Sequence, residues 1–144
     1  MVGETNLDAL IRSMQPVLKP NTFVFADYSE TPCPPELEPV MVFQEAEGQT
    51  LIITREMAER YSLPYSFPCR QITLNIHSSL EAVGFLAAIT TQLARHGIPV
   101  NAVSAFFHDH LFVPEDRADE ALSALKAMLR FLRLKCPQRA IRRS

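Results

Sequence analysis

Two histidines and an aspartate stand together at His108, Asp109 and His110, and they come nearer to a metal-binding pattern than any other side chains in the sequence. On an extended strand residues i and i+2 point the same way, so the two imidazoles can share an ion that Asp109 would join. Aspartate is also a common residue of tight turns, and the other histidines, His77 and His96, lie well outside this segment. We therefore expect no metal and no other cofactor, with the triplet as the one candidate. Cys69 paired with a histidine would make a nucleophile, but a free cysteine is far more often an inert core residue. Cys33, Cys69 and Cys136 are odd in number and widely spaced, which fits neither a disulfide framework nor a CxxC site. No GxSxG, HExxH, phosphate loop or dinucleotide fingerprint is present, so the expectation is a protein that is not an enzyme.

The elements that must position these groups follow from periodicity. TNLDALIRSM places Leu7, Leu10, Ile11 and Met14 on one helical stripe, with Thr5 or Asn6 as cap and Pro16 and Pro20 ending it. Thr22 to Tyr28, Val40 to Glu45 and Thr50 to Thr54 read as strands, the last two joined at Gly48, and a short helix is expected over Thr54 to Ser62. The proline-rich SETPCPPELEP must be a loop. RQITLNI alternates as a half-buried strand, with Ile72, Leu74 and Ile76 facing one way. In HSSLEAVGFLAAITTQLARHG, Ser78 and Glu81 have capping-box spacing, Val83, Leu86, Ile89 and Leu93 form a stripe, and Gly97 marks the stop. VNAVSAFF and HLFVP read as strands joined at His108 and Asp109. The last helix repeats Ala118, Leu122, Leu125, Leu129 and Leu132, with Asp116 as its cap.

Helices with a single apolar stripe among strands of this kind call for an α+β two-layer sandwich, helices on one face of an antiparallel sheet. With 144 residues the chain has room for one domain or two of about 70. Its 47% apolar and 21% charged residues are those of a folded protein, and its net charge of −2 gives no reason to expect nucleic acid. The longest apolar run, Ala82 to Ile89, is too short to span a membrane, and the N-terminus is unlike a leader peptide, so a cytoplasmic location is expected.

The string ITLNIHSSLEAVGFLAAITTQLARHGIPVNAVSAFFHDHLFVP resembles the ACT domains of a family of small two-domain bacterial proteins of uncharacterised function. The likeness covers about Pro68 to Leu132, while TFVFA and EGQTLIIT in the first half resemble an N-terminal ACT-like domain. It implies a ferredoxin-like βαββαβ fold in each of two tandem ACT-like domains. The expected division is an N-terminal domain over 1–62, a linker over 63–68, a C-terminal domain over 69–134 and a basic tail over 135–144. An ACT domain closes with a strand after its second helix, yet the chain beyond Leu134 has little β character, so another strand or another chain must fill that place.

The resemblance also implies a ligand, expected at the turn between first strand and first helix: His77, Ser78, Ser79, Leu80, Glu81, Ala82, Val83 and Gly84. Amides at a helix start lack partners and suit a carboxylate; the serines would add hydroxyl donors, and Gly84 would permit close approach. Asn101 and the carbonyls around Val103 would accept from an ammonium group. The same residues are also explained by helix capping and strand-end packing alone. The expected function is binding of a small molecule, an amino acid, by a regulatory module that signals to a separate protein. Open sheet edges add the expectation of a homodimer. The alternatives are an interaction scaffold that keeps the fold without a ligand, and a metal-dependent enzyme built on His108 and His110.

Overall fold

Asn6 starts the first helix, α1 (Leu7–Ser13), by accepting the Ala9 amide on its Oδ1 at 3.0 Å. This is seen in a computed structural model that describes residues 6–30, 32–76 and 80–135, with side chains through 131. Pro16 does more than stop the helix, because it opens a long strand, β1 (Pro16–Tyr28). The hairpin β2 (Met41–Gln44) and β3 (Gln49–Thr54) follows, then a short helix α2 (Arg55–Arg60) capped by Thr54. The second half runs β4 (Tyr65–Leu74), α3 (Phe85–Arg95), β5 (Asn101–Ser104), β6 (Asp109–Pro114) and α4 (Ala118–Lys135). Asp116 is not the cap of α4; it lies in a 3-10 turn, Glu115–Arg117, that leads into it.

The strands form one antiparallel sheet in the order β2-β3-β1-β4-β6-β5. Two ferredoxin-like units are contained in that order. One uses β1 to β4 and its neighbours β2 and β3; the other uses β4, β5 and β6 and takes its fourth strand from the start of β1. Pro16, Val17 and Leu18 pair with Leu74, Thr73 and Ile72, filling the place that the sequence leaves open after α4. Pro20 has no amide to donate, and the register shifts between Leu18 and Thr22. At that interruption the Arg70 guanidinium donates to the Lys19 carbonyl at 2.9 and 2.7 Å.

Packing departs from the expected division in two places. Residues 7–18 lie with the C-terminal unit, since Leu10, Ile11 and Met14 are buried in one cluster with Ile72, Leu74, Ile89, Leu111 and Leu125. Residues 65–68, expected in a linker, are the start of β4 and pair with β1. The N-terminal unit has a smaller cluster, in which Leu37 from the proline-rich loop covers Val24, Ala26, Leu51, Ile53 and Ala58. Among the described residues the opposite sheet face carries no helix. Phe23, Ile52, Cys69 and Phe112 are buried there, and the rings of Phe23 and Phe25 meet Phe112 edge-on at 6.1 and 6.0 Å.

Candidate functional site

The segment between β4 and α3 was the expected ligand turn, and its geometry differs from the capping-box reading. The helix begins at Phe85, so Glu81 does not lie in its first turn, and Gly84 occupies the cap position with φ at +88°. That left-handed conformation is one glycine adopts without strain. A side chain at position 84 would find Leu7 of α1 at 3.7 Å, so the conformation rather than space requires glycine. The helical stripe shifts accordingly: Phe85, Ile89 and Leu93 are buried, whereas Val83 is 85% exposed. His77, Ser78 and Ser79 lie outside the described residues.

Leu80, Ala82, Phe85 and Leu86 line one side of a recess of about 60 Å³, and Ser104, Ala105 and Asp109 line the other. Asp109 is buried, and its carboxylate accepts the Ser104 hydroxyl across the paired ends of β5 and β6. The recess thus sets a carboxylate opposite the first turn of α3, whose leading amides have no intrahelical acceptor. Asn101 and Val103 are not brought to it. They pair with Phe112 and His110 on the helix-free face. The sequence reading missed Ser104 and considered Asp109 only as a metal ligand. The strands were joined at His108 and Asp109 in that reading, whereas the turn closes between Ala105 and His108, whose carbonyl accepts the Ala105 amide at 3.0 Å. With a period of two, the error in placing the turn obscured which face each residue takes.

The same parity takes apart the metal triplet. Asp109 faces the helices, while His110 faces away from them and forms a network with Thr73 and Gln71. The His108 and His110 ring centres are 6.4 Å apart. His108 Nδ1 lies 3.0 Å from the Ile76 carbonyl, which can only accept, so that nitrogen carries the proton and the bond ties the hairpin to the chain leaving β4. Among the described residues no group of three ligating side chains is gathered. Burial, reinforced by the nearby positive charges of His108 and Lys19 and opposed by Asp109, lowers the His110 pKa from its usual 6.5. Cys69 is no nucleophile: burial pushes its thiol up to about 12, and Sγ sits 3.3 Å from the Phe23 carbonyl.

In the N-terminal unit the corresponding place follows β1. There a hollow of about 390 Å³ has Asp27 and Glu30 among its lining, with Tyr61 and Leu63 opposite. The chain then enters the proline-rich loop and its 3-10 turn, Pro35–Leu37, rather than a long helix. Among the described residues no helix is long and apolar enough to cross a membrane.

Comparison with known proteins gives a consistent result. Two family models, each described as an ACT domain, match residues 2–70 and 66–127. No curated protein matches. Among solved structures, a Vibrio cholerae protein of unknown function, described as a possible transport protein, is 39% identical, with a TM-score of 0.79 over 87% of this chain and 97% of its own. An Agrobacterium tumefaciens protein is 14% identical over 81% and 89%, with a TM-score of 0.68. The regulatory subunit of aspartate kinase from Thermus flavus shares the fold at 10% identity, with a TM-score of 0.56 over 78% and 95%.

Proposed function

Because this chain belongs to the ACT-domain family, with two copies in tandem, we propose that it is a non-catalytic regulatory module that binds an amino acid at the β4–α3 turn. The observation that carries this reading is the recess in which Asp109 and Ser104 face the first turn of α3. An amino acid presents two opposite charges on adjacent atoms. The open amides at the helix start suit its carboxylate, and the Asp109 carboxylate suits its ammonium group. This assigns to Asp109 the role that the sequence reading gave to Asn101. Ser78 and Ser79 remain the hydroxyl donors this reading expects. At about 60 Å³ the recess holds the charged head of such a ligand, with its side chain directed outward. The reading places the module in the cytoplasm, as a homodimer that acts on a separate protein.

A second reading, a protein-interaction scaffold, is favoured by one observation. Phe106 and Phe107 at the hairpin tip are 72% and 64% exposed, and Leu80 at the recess is 67% exposed. Large exposed apolar groups close together mark contact surfaces.

The test is a thermal-shift screen of the whole chain against the twenty amino acids. A ligand that binds only the folded state raises the melting temperature. A saturable rise that is lost in Asp109→Asn supports the sensor; a screen without any rise removes it and leaves the scaffold.

A further inference from the structure

The helix-free face holds another hollow, across the sheet from the recess, with Ala105 at the rim of both. It measures about 160 Å³ and lies where the two edge hairpins approach, with Val40 and Met41 on one side, Val103 and Ala105 on the other, and Gln71, His110 and Phe112 between them. Among the described residues no charged side chain lines it, apart from the titratable imidazole of His110. The floor is nevertheless polar at one point. Gln71 Nε2 donates to Thr73 Oγ1 at 2.9 Å and lies 3.2 Å from His110 Nδ1, which is also 3.0 Å from the Thr73 hydroxyl.

These three contacts assign the ring proton. The amide nitrogen of Gln71 can only donate, so His110 Nδ1 accepts, and the neutral ring carries its hydrogen on Nε2. That donor and the Gln71 carbonyl oxygen have no hydrogen-bond partner among the described residues. An apolar hollow with one donor and one acceptor is the arrangement that orients a small ligand. Its size is that of a cavity which holds a benzene ring.

We propose that this hollow binds an uncharged, ring-sized molecule bearing one hydroxyl or N–H group, of which phenol is the simplest example. The ring packs against Met41, Val103 and Phe112, and the head group meets His110 and Gln71. A charged head group would lose its hydration with no opposite charge in the lining to replace it. Since Met41 belongs to β2 and Val103 to β5, one molecule touches both units. The proposal does not depend on amino-acid binding at the turn.

The whole chain, labelled with nitrogen-15, is titrated with phenol, benzene and benzoate while amide shifts are followed. Phenol is expected to give saturable shifts at Gln71, Val103, His110 and Phe112, and benzoate to bind more weakly. Val103→Phe fills the hollow and abolishes those shifts; Val40→Phe, at an exposed position outside the recess, serves the same purpose if the first variant fails to fold. Gln71→Leu weakens phenol about fivefold, the worth of one neutral hydrogen bond, and leaves benzene unchanged. The proposal is overturned if these amides do not saturate, if both filling variants leave phenol binding intact, if benzoate binds as tightly, or if Gln71→Leu affects phenol and benzene alike. Ligands at the turn would move Leu86, Ser104 and Asp109 instead, which keeps the two sites separable.

Discussion

In the C-terminal unit an 11-residue helix and an 18-residue helix cover the sheet, while the N-terminal unit has a three-residue 3-10 turn and a six-residue helix in the same places. The sheets themselves are alike, each with an edge hairpin and both sharing β1 and β4. What differs is the layer above. A helix supplies a row of apolar side chains and a set of open amides at its start; the proline-rich loop supplies Leu37 and few amides. On the proposed reading, anion binding therefore falls to one unit, and the other presents acidic side chains where the helix start would be. Duplication of a sheet does not by itself duplicate a site.

Core substitutions test the contrast most strongly. Ile89→Ala, under α3, is expected to cost about 3 to 5 kcal/mol, because close-packed neighbours from three helices and the sheet cannot collapse into the space. Leu37→Ala should cost about 2 kcal/mol, the lower end of such losses, since an exposed loop can relax inward. Urea unfolding measures both; equal costs would mean that the loop is as firm a layer as the helix. Leu10→Ala should cost about 3 kcal/mol, with the extra hydrogen exchange appearing in α3 and α4. If it appeared in the β2–β3 hairpin instead, α1 would belong to the N-terminal unit.

His110 offers a smaller, pH-dependent test. Its folded pKa is depressed below 6.5, so the unfolded chain binds the proton more readily. The stability it contributes is present above pH 6.5 and is lost as pH falls through the folded value. His110→Gln should flatten the melting temperature over that window, and an unchanged slope would transfer the effect to other groups. Least of all should matter the exposed pair between Arg55 and Glu115, 2.9 Å apart, which bridges α2 and the turn after β6. Arg55→Ala is expected to cost less than about 1 kcal/mol. A larger loss in a denaturation curve would show that the two halves depend on this bridge.

Local patterns in the sequence carried most of the elements. The stripes Ile89, Leu93 and Leu125, Leu129 and the alternation of Ile72 and Leu74 report directly on burial, since a single face of each is covered. Three features were hidden for physical reasons. Pro16 and Pro20 read as helix stops, and nothing local shows that the residues between them pair with Leu74, Thr73 and Ile72, more than fifty positions away. Ser78 and Glu81 have the spacing of a cap, but the buried position of Phe85 and the left-handed Gly84 set the helix start later. Asn101 and Val103 face away from the recess and Asp109 faces it, which stayed hidden because the length of the hairpin turn, which sets strand parity, is not encoded in composition.

The closure of the C-terminal unit by Pro16, Val17 and Leu18 has a consequence for the order of events in synthesis. These residues, together with α1, leave the ribosome before their partners in β4, α3 and α4. Until then the amphipathic helix and the first residues of β1 must wait exposed, and chaperone binding would be most useful in that interval. Should a second chain arrive first, its own leading segment could take the vacant edge along Ile72 to Leu74, giving an exchanged dimer with the same contacts as the monomer.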